Sequence, residues 1–461
     1  MSNIEEKESG VIFSKKQKWS FGMGSFAQWF LNSAFNTWVL SFYFAAIGLR
    51  IELIMLAFVL WTIWNAINDP LIGYLSDRTR TRIGRRKPFI ILGSIPILII
   101  EVIVWLPPTG NQIITFIYLL IILICFDTFY TMVTLFDSLF PELYTSVEER
   151  AEVNTIKQIL ATIGLIMAFL IPGIFIGDLE DPSGYPINGI VTTIIVGIAL
   201  IVSIRWGVIE KEEFKLDHKH EFSFFKGMRY TLSNKGFVLY TIMFFLYEYI
   251  LLLYASVIPL WNQNVLMEST FMASLLLGSI FIIGIISVLL WKYLDVKLGS
   301  RTSFAISMIA FTIAILPILF IDDFITALIT LSAAGIGFGG MLYFIYLIIA
   351  DVIDEDELKT GVRREGTFFG ITNFFMRLAM VFSVLSVSLV FVSTGWETYE
   401  PDPNFDTLLG LRLLMVLFPI IAIILSLVCL YFYPFTRNKV QEIKSQLTEL
   451  HQKKLDIIRK K

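Results

Sequence analysis

Three residues inside one of the most apolar stretches of the chain are able to do chemistry together. Asn65, Asn68 and Asp69 are spaced i, i+3, i+4, so on a helix they share one face. They offer three side-chain oxygens within one turn, the ligand type a small hard cation takes. A carboxyl group withdrawn from water can instead carry a proton near neutral pH. An acid at the centre of a bilayer costs about 2.5–3.5 kcal/mol, so this face is predicted to point away from lipid.

Further polar stripes lie in other apolar segments. Gln28, Asn32 and Asn36 fall at i, i+4, i+8, and Asp127, Tyr130, Thr131, Thr134, Asp137 and Ser138 form a second stripe. Asn154, Lys157 and Gln158 open another segment, Glu248 sits deep in its own, and Asn373 precedes Arg377 by one turn. Convergent amides, carboxylates and hydroxyls suit the hydroxyl groups of a sugar, while Trp29, Trp61, Trp64 and Tyr130 supply faces for its C–H surfaces. Gln28, Trp29, Asn32, Asp127, Tyr130, Thr131, Asp137, Asn154, Gln158, Glu248, Asn373 and Arg377 are therefore candidate solute ligands. Each has a plainer reading. Intramembrane amides glue helices together. Asp127 and Glu248 can be hydrogen-bonded core acids, and Arg377 a structural ion-pair partner. Glu101, with no polar stripe around it, reads as structural or snorkelling.

The elements that carry these residues are membrane spans. The chain has 461 residues, 56% hydrophobic and 16% charged, against roughly 25% charged in soluble domains. Mean hydropathy is +0.73. Twelve apolar runs are predicted to span, at 20–46, 51–75, 88–107, 112–140, 154–177, 188–208, 236–261, 269–292, 303–321, 323–351, 367–394 and 407–433. Arg and Lys gather before Trp19 and in 76–87, 209–235, 292–301, 359–364 and the C-terminal tail, whereas the alternate loops are almost free of them. By the positive-inside rule both termini are expected in the cytoplasm of a multi-pass plasma-membrane protein. Residues 1–18 are charged and show no cleavable signal. Cys125 and Cys429 fall in spans, so no disulfide or thiolate metal site is implied, and His218, His220 and His451 lie in polar segments. No phosphate-binding loop or zinc-protease motif is present, so an enzyme is not expected, nor a nucleic-acid partner. Any transport must draw on a gradient or run downhill.

The polar segment 209–235 divides the spans six and six. The loop GYLSDRTRTRIGRRKPFI after span 2 is echoed by KYLDVKLGSRTSFAI after span 8, and PELYTSVEERAEVN after span 4 by ADVIDEDELKTGVRREGT after span 10. Repeated six-helix halves build many secondary transporters, with the solute site at mid-membrane between them. The expected organisation is a tail 1–18, a bundle 19–208, a central loop 209–235, a second bundle 236–434 and a basic tail 435–461. In that tail apolar residues at 440, 443, 447, 450 and 457 predict an amphipathic helix on the inner leaflet. Asp77 with Arg78, Arg85 and Arg86 could latch onto Glu142, Glu148 or Glu149 when the inner side closes.

NAINDPLIGYLSDRTRTRIGRRKPFI and ADVIDEDELKTGVRREGTFFGITNFFMRLA resemble the two signature regions of the glycoside–pentoside–hexuronide:cation symporter family, the melibiose permease-like branch of the major facilitator superfamily. The resemblance implies an all-α membrane protein with twelve helices in two pseudo-symmetric bundles, alternating access, and solute uptake coupled to Na⁺ or H⁺, without another cofactor. Asn68 and Asp69 match the family's helix 2 cation motif. Where sodium-coupled members have a further acid this chain has Asn65, which leaves Asp69 the lone carboxylate of the motif. A lone carboxylate suits a proton, a weaker cation site or no coupling. Trp29 stands at a sugar-binding acid of the reference permease, Val133 at its helix 4 acid and Gln158 at its helix 5 arginine. Asp137 replaces a tryptophan there, and Arg377 falls near the helix 11 lysine. The galactoside site is thus not preserved. The expected function is cation- or proton-coupled symport of a glycoside or similar polar solute by a monomer in the lipid bilayer. A lysolipid carrier of related fold is the alternative, given 41 Phe, and a non-transporting receptor or scaffold the third reading.

Overall fold

The computed structural model describes residues 13–79, 81–144, 147–209, 234–360 and 365–460. Among these, regular structure is helical apart from one isolated bridge between Thr81 and Gly84. The helices of the first half are α1 (Lys15–Ser41), α2 (Ile51–Arg78), α3 (Lys87–Ile103), α4 (Gln112–Thr134), α5 (Phe136–Leu143), α6 (Val147–Leu170), α7 (Pro172–Phe175) and α8 (Gly184–Val202). Those of the second half are α9 (Lys235–Asn264), α10 (Thr270–Leu298), α11 (Ser300–Ile315), α12 (Phe324–Thr360), α13 (Glu365–Ser393), α14 (Phe405–Phe432) and α15 (Arg437–Lys460). Ten segments are long and apolar enough to cross a bilayer, α4–α5 and α6–α7 each forming one of them. The two remaining expected spans are α1, whose 27 residues include Lys and a polar face, and α3, whose 17 residues rise about 26 Å.

The chain divides into two compact units. The first holds Met1–Lys219, Ser269–Ser274 and Glu397–Pro401, and the second holds the rest. The central segment predicted at 209–235 lies, but for its ends, outside the described residues.

In the first unit α1 starts at a capping box: Ser14 Oγ accepts the Gln17 N–H, and Gln17 Oε1 accepts the Ser14 N–H. One turn later Lys18, buried despite its charge, meets Glu149 at 3.2 Å and Glu152 at 2.7 Å and so ties α1 to α6. Higher up, the two helices nearly touch by their backbones. A Cβ on Gly164 would lie 2.6 Å from the Phe26 carbonyl oxygen. α2 packs on α4, α3 on α4 and α8, and α8 on α1. The short segment around Glu397 is held here by Arg50, whose Nη2 meets Glu52 and Glu397 at 2.9 and 2.7 Å.

In the second unit α9 packs on α13 and α14, and α11 on α12. α10 and α12 cross at Gly284 and the pair Gly335, Gly339, where a Cβ on Gly339 would run into the Gly284 carbonyl oxygen. This is the small-xxx-small solution to helix packing in lipid, where the hydrophobic effect does not drive helices together. Two hydrogen bonds to the Ile336 carbonyl reinforce the crossing, from Trp291 Nε1 at 2.7 Å and Ser287 Oγ at 3.2 Å. The predicted amphipathic tail is α15. Its Ile443 and Leu447 are buried within the unit, and Lys439 pairs with Glu355 of α12 at 3.2 Å. That part of the apolar stripe, expected on lipid, is covered by protein instead.

Gly339→Val should lower the thermal midpoint of the purified protein, since overpacking a close contact costs about 1–3 kcal/mol. Gly73→Ala, whose Cβ meets nothing within 4 Å, serves as the reference. Equal midpoints for the two variants would contradict the close crossing.

Candidate functional site: the polar seam between α2 and α4

α2 is apolar over most of its length, so its few polar residues stand out. They turn toward α4. Asn65 and Asn68 are 4% and 0% exposed, and Asp127 of α4 is 4% exposed. The Asn65 amide donates to Asp127 Oδ1. Asn68 Nδ2 donates to Asp127 Oδ2 at 3.0 Å and lies 3.0 Å from Thr131 Oγ1 and 3.3 Å from the Asp127 carbonyl oxygen. The Thr131 hydroxyl in turn donates to Asp69 Oδ1 at 2.7 Å. On the level above, Trp64 Nε1 donates to Thr128 Oγ1 at 3.0 Å.

The i, i+3, i+4 spacing therefore does what it predicts, placing one polar face inward. What the sequence reading did not foresee is the partner. Asp127 and Thr131, read as solute ligands, are turned to α2 and complete its polar trio. Asp69 is then not the only carboxylate in the site: Asp127 supplies a second acid across the helix interface. The signal was present in Asp127 and Thr131 at i, i+4, the spacing that meshes with Asn65 and Asn68 on a facing helix.

Both amides spend their NH₂ groups on Asp127, which as a carboxylate only accepts. Their orientation follows, because flipping either would set oxygen against oxygen. The Asn65 and Asn68 Oδ1 atoms are consequently left buried with no hydrogen-bond partner. The seam thus brings together two acids, Asp69 and Asp127, two amides and the Thr131 hydroxyl. Pro70, next to Asp69, lacks an N–H and leaves the Ala66 carbonyl without its helical donor beside the same cluster.

The other predicted residues are placed as follows. On α1, Gln28 and Asn32 are part-buried and Trp29 is 40% exposed. Asn36 Nδ2 donates to Asn32 Oδ1 at 3.0 Å. Tyr130 stacks on Phe126, which stacks on Phe35 of α1 at 3.8 Å between centroids. Asn154 and Gln158 are exposed on α6. Between them Lys157 reaches Asp137 at 2.6 Å and lies 4.7 Å from the centroid of Phe140. Asp137, predicted as a solute ligand, is thus engaged in an ion pair. In the second unit Glu248 is buried on α9 and Arg377 part-buried on α13, while the Asn373 side chain lies outside those described.

Of the predicted latch, Arg78 stacks on Tyr74 at 4.2 Å, Arg86 Nη1 donates to the Ser138 carbonyl at 2.8 Å, and Arg85 is buried. Glu149 bonds Lys18 and the Phe13 N–H. The Asp77, Glu142 and Glu148 side chains lie outside those described. The Lys18 pair is a contact the sequence reading missed, since nothing in the spacing links residue 18 to residues 149 and 152.

A double-mutant cycle of Asn68→Ala and Asp127→Ala, read as unfolding free energy, should give a coupling of about 0.5–3 kcal/mol. Additive losses would show that the two side chains do not interact.

The chain was compared with known proteins. The family model described as MFS/sugar transport protein matches residues 20–437. The symporter YnaJ of Bacillus subtilis (strain 168) is 24% identical over 462 residues, covering 96% of this chain and 97% of that protein. The isoprimeverose transporter of Lactiplantibacillus pentosus is 22% identical over 446 residues, covering 95% and 91%. The sodium-dependent lysophosphatidylcholine symporter 1 of Xenopus tropicalis is 24% identical over 451 residues, covering 86% and 82%. Among solved structures, the nucleoside transporter NupG superposes with a TM-score of 0.66 at 14% identity, covering 91% of this chain and 100% of that one. Membrane helices, fold and relatives agree: the chain belongs to the MFS/sugar transport protein family and is a secondary active transporter of the symporter class.

Proposed function

We propose that the protein couples the movement of a small cation to uptake of a glycoside or similar polar solute across the plasma membrane, with both termini in the cytoplasm. The observation that carries this reading is the α2–α4 seam, where Asn65 and Asn68 bond Asp127, and Thr131 bonds Asp69, inside an apolar unit. Asn65, Asn68 and Asp69, with Asp127 and Thr131, form the cation site. Two acids held in one buried seam suit a proton or a small cation, so H⁺ and Na⁺ are the two coupling ions the test must separate.

Within the first unit, Gln28, Trp29, Asn32, Tyr130, Asn154 and Gln158 are assigned to solute contact; in the second unit, taken by itself, Glu248, Asn373 and Arg377 are the candidates. Polar side chains exposed within a span are costly against lipid, which supports a water-facing position for Asn154 and Gln158. The relative named for isoprimeverose transport supports a glycoside. The lysophosphatidylcholine symporters, similar over 86% of this chain, keep a lysolipid as the second reading.

Ligands that bind only the folded state raise its melting midpoint. Na⁺ as the coupling ion should therefore raise the midpoint of the wild type and not that of Asp69→Asn. A midpoint that answers to pH but not to Na⁺ would assign the coupling to a proton. Once a panel of glycosides, polyols and lysolipids has named the solute, Asp69→Asn should abolish its accumulation in proteoliposomes while leaving insertion intact. Accumulation at the wild-type level would remove Asp69 from coupling. Arg377→Ala should impair uptake more than it lowers the midpoint, and equal losses in both would mark Arg377 as structural.

A further inference from the structure

A groove of about 470 Å³ opens in the second unit where α10 ends and α11 begins. Its walls combine two kinds of surface. Arg301, Arg437, Ser300 and Thr436 line it together with Leu427 and Tyr431. Among the described residues neither guanidinium is paired with a carboxylate. Arg301 Nη2 donates to the Tyr431 carbonyl at 2.6 Å, and Arg437 donates to the Lys297 and Val296 carbonyls at 3.0 and 3.2 Å. Those backbone tethers hold both groups in place and use only part of the five donors each carries.

Two helix N-termini add to the charge. α11 begins after Gly299, which caps it with no side-chain bond. α15 begins at Arg437, whose side chain lies 3.5 Å from where a Cβ of Gly299 would stand. Both helices start at the groove and turn the positive pole of the helix dipole toward it. The neighbouring acid, Asp295, accepts from the Ser300 hydroxyl at 2.7 Å, so one carboxylate stands against two guanidiniums and two helix ends. On the apolar side Tyr431 is 74% exposed and Leu298 45%, each at the end of a helix long and apolar enough to cross a membrane.

We propose that this groove binds the headgroup of an anionic phospholipid, with an acyl chain lying along Leu427 and Tyr431. Basic pockets between spans suit such headgroups. A phosphodiester offers the oxygens that two forked guanidiniums and two helix N-termini are arranged to receive. The lipid is a resident of the site and not the cargo. The inference rests on the membrane-spanning architecture and is independent of the solute.

The test uses the purified full-length protein, titrated in detergent with phosphatidylglycerol, phosphatidylcholine or inorganic phosphate while the thermal midpoint is followed. Phosphatidylglycerol should raise the midpoint further than phosphatidylcholine, and the excess should shrink as ionic strength rises. The excess should vanish in the double variant Arg301→Gln, Arg437→Gln and persist in Arg205→Gln, which alters an exposed arginine of the first unit. Equal shifts for the two lipids, or an excess that survives the double variant, overturns the proposal. Inorganic phosphate that reproduces the whole excess overturns the lipid assignment, since the site would then take a bare oxyanion. Should the double variant fail to fold, photoreactive phosphatidylglycerol is crosslinked to the wild type. Labels on peptides carrying Leu427 or Tyr431 support the site, and labels confined to other peptides overturn it.

Discussion

A carboxylate withdrawn from water into an apolar bundle is tolerable only with hydrogen-bond donors around it. Asp127 imposes that demand on the first unit. Asn65 and Asn68 answer it, Thr131 passes the network on to Asp69, and the Trp64–Thr128 bond adds a further rung. With contacts at successive levels, the register of α2 on α4 is set by polar bonds, and a slip by one residue would break them together. Low local polarity strengthens each bond and makes each unmade one costly. The same seam is thus both a structural clamp and a place where two acids meet inside the unit.

Elsewhere the helices associate by the means lipid leaves open. Apolar faces gain little from meeting each other when the alternative is acyl chain. Close backbone approach does the work at Gly164 on Phe26 and at Gly339 on Gly284, and directed bonds such as Trp291 to the Ile336 carbonyl hold the crossings. At the end of the second unit a charged pair, Lys439 with Glu355, fastens α15 to α12. Polar bonds at the ends and in the seam, and shape in the apolar interior, are the two sources of specificity.

Relatives named for quite different cargoes share this fold at low identity, so the scaffold alone does not choose a solute. The choice falls to a small number of side chains, and several here depart from the sugar site of the resembling family. Trp29 and Gln158 stand where that site has charge, and Asp137 is taken up by Lys157. In the α2–α4 seam, by contrast, Asp127 stands across the interface from Asn65 and adds an acid beside Asp69.

Much of this was legible in the chain itself. Span length, hydropathy and the repeat of charged loops follow from local composition, because the bilayer demands about 20 apolar residues per crossing wherever they occur. The inward face of Asn65, Asn68 and Asp69 follows from helical periodicity. Periodicity states which residues share a face but not which helix that face meets. The meeting of Asp127 with Asn65, the burial of Lys18 between Glu149 and Glu152, the pairing of Asp137 with Lys157 and the docking of α15 on α12 join residues far apart in the chain. Those pairings depend on how each helix rotates and slides against its neighbours, a balance of many weak contacts that no local stretch encodes, and tertiary structure alone decided them.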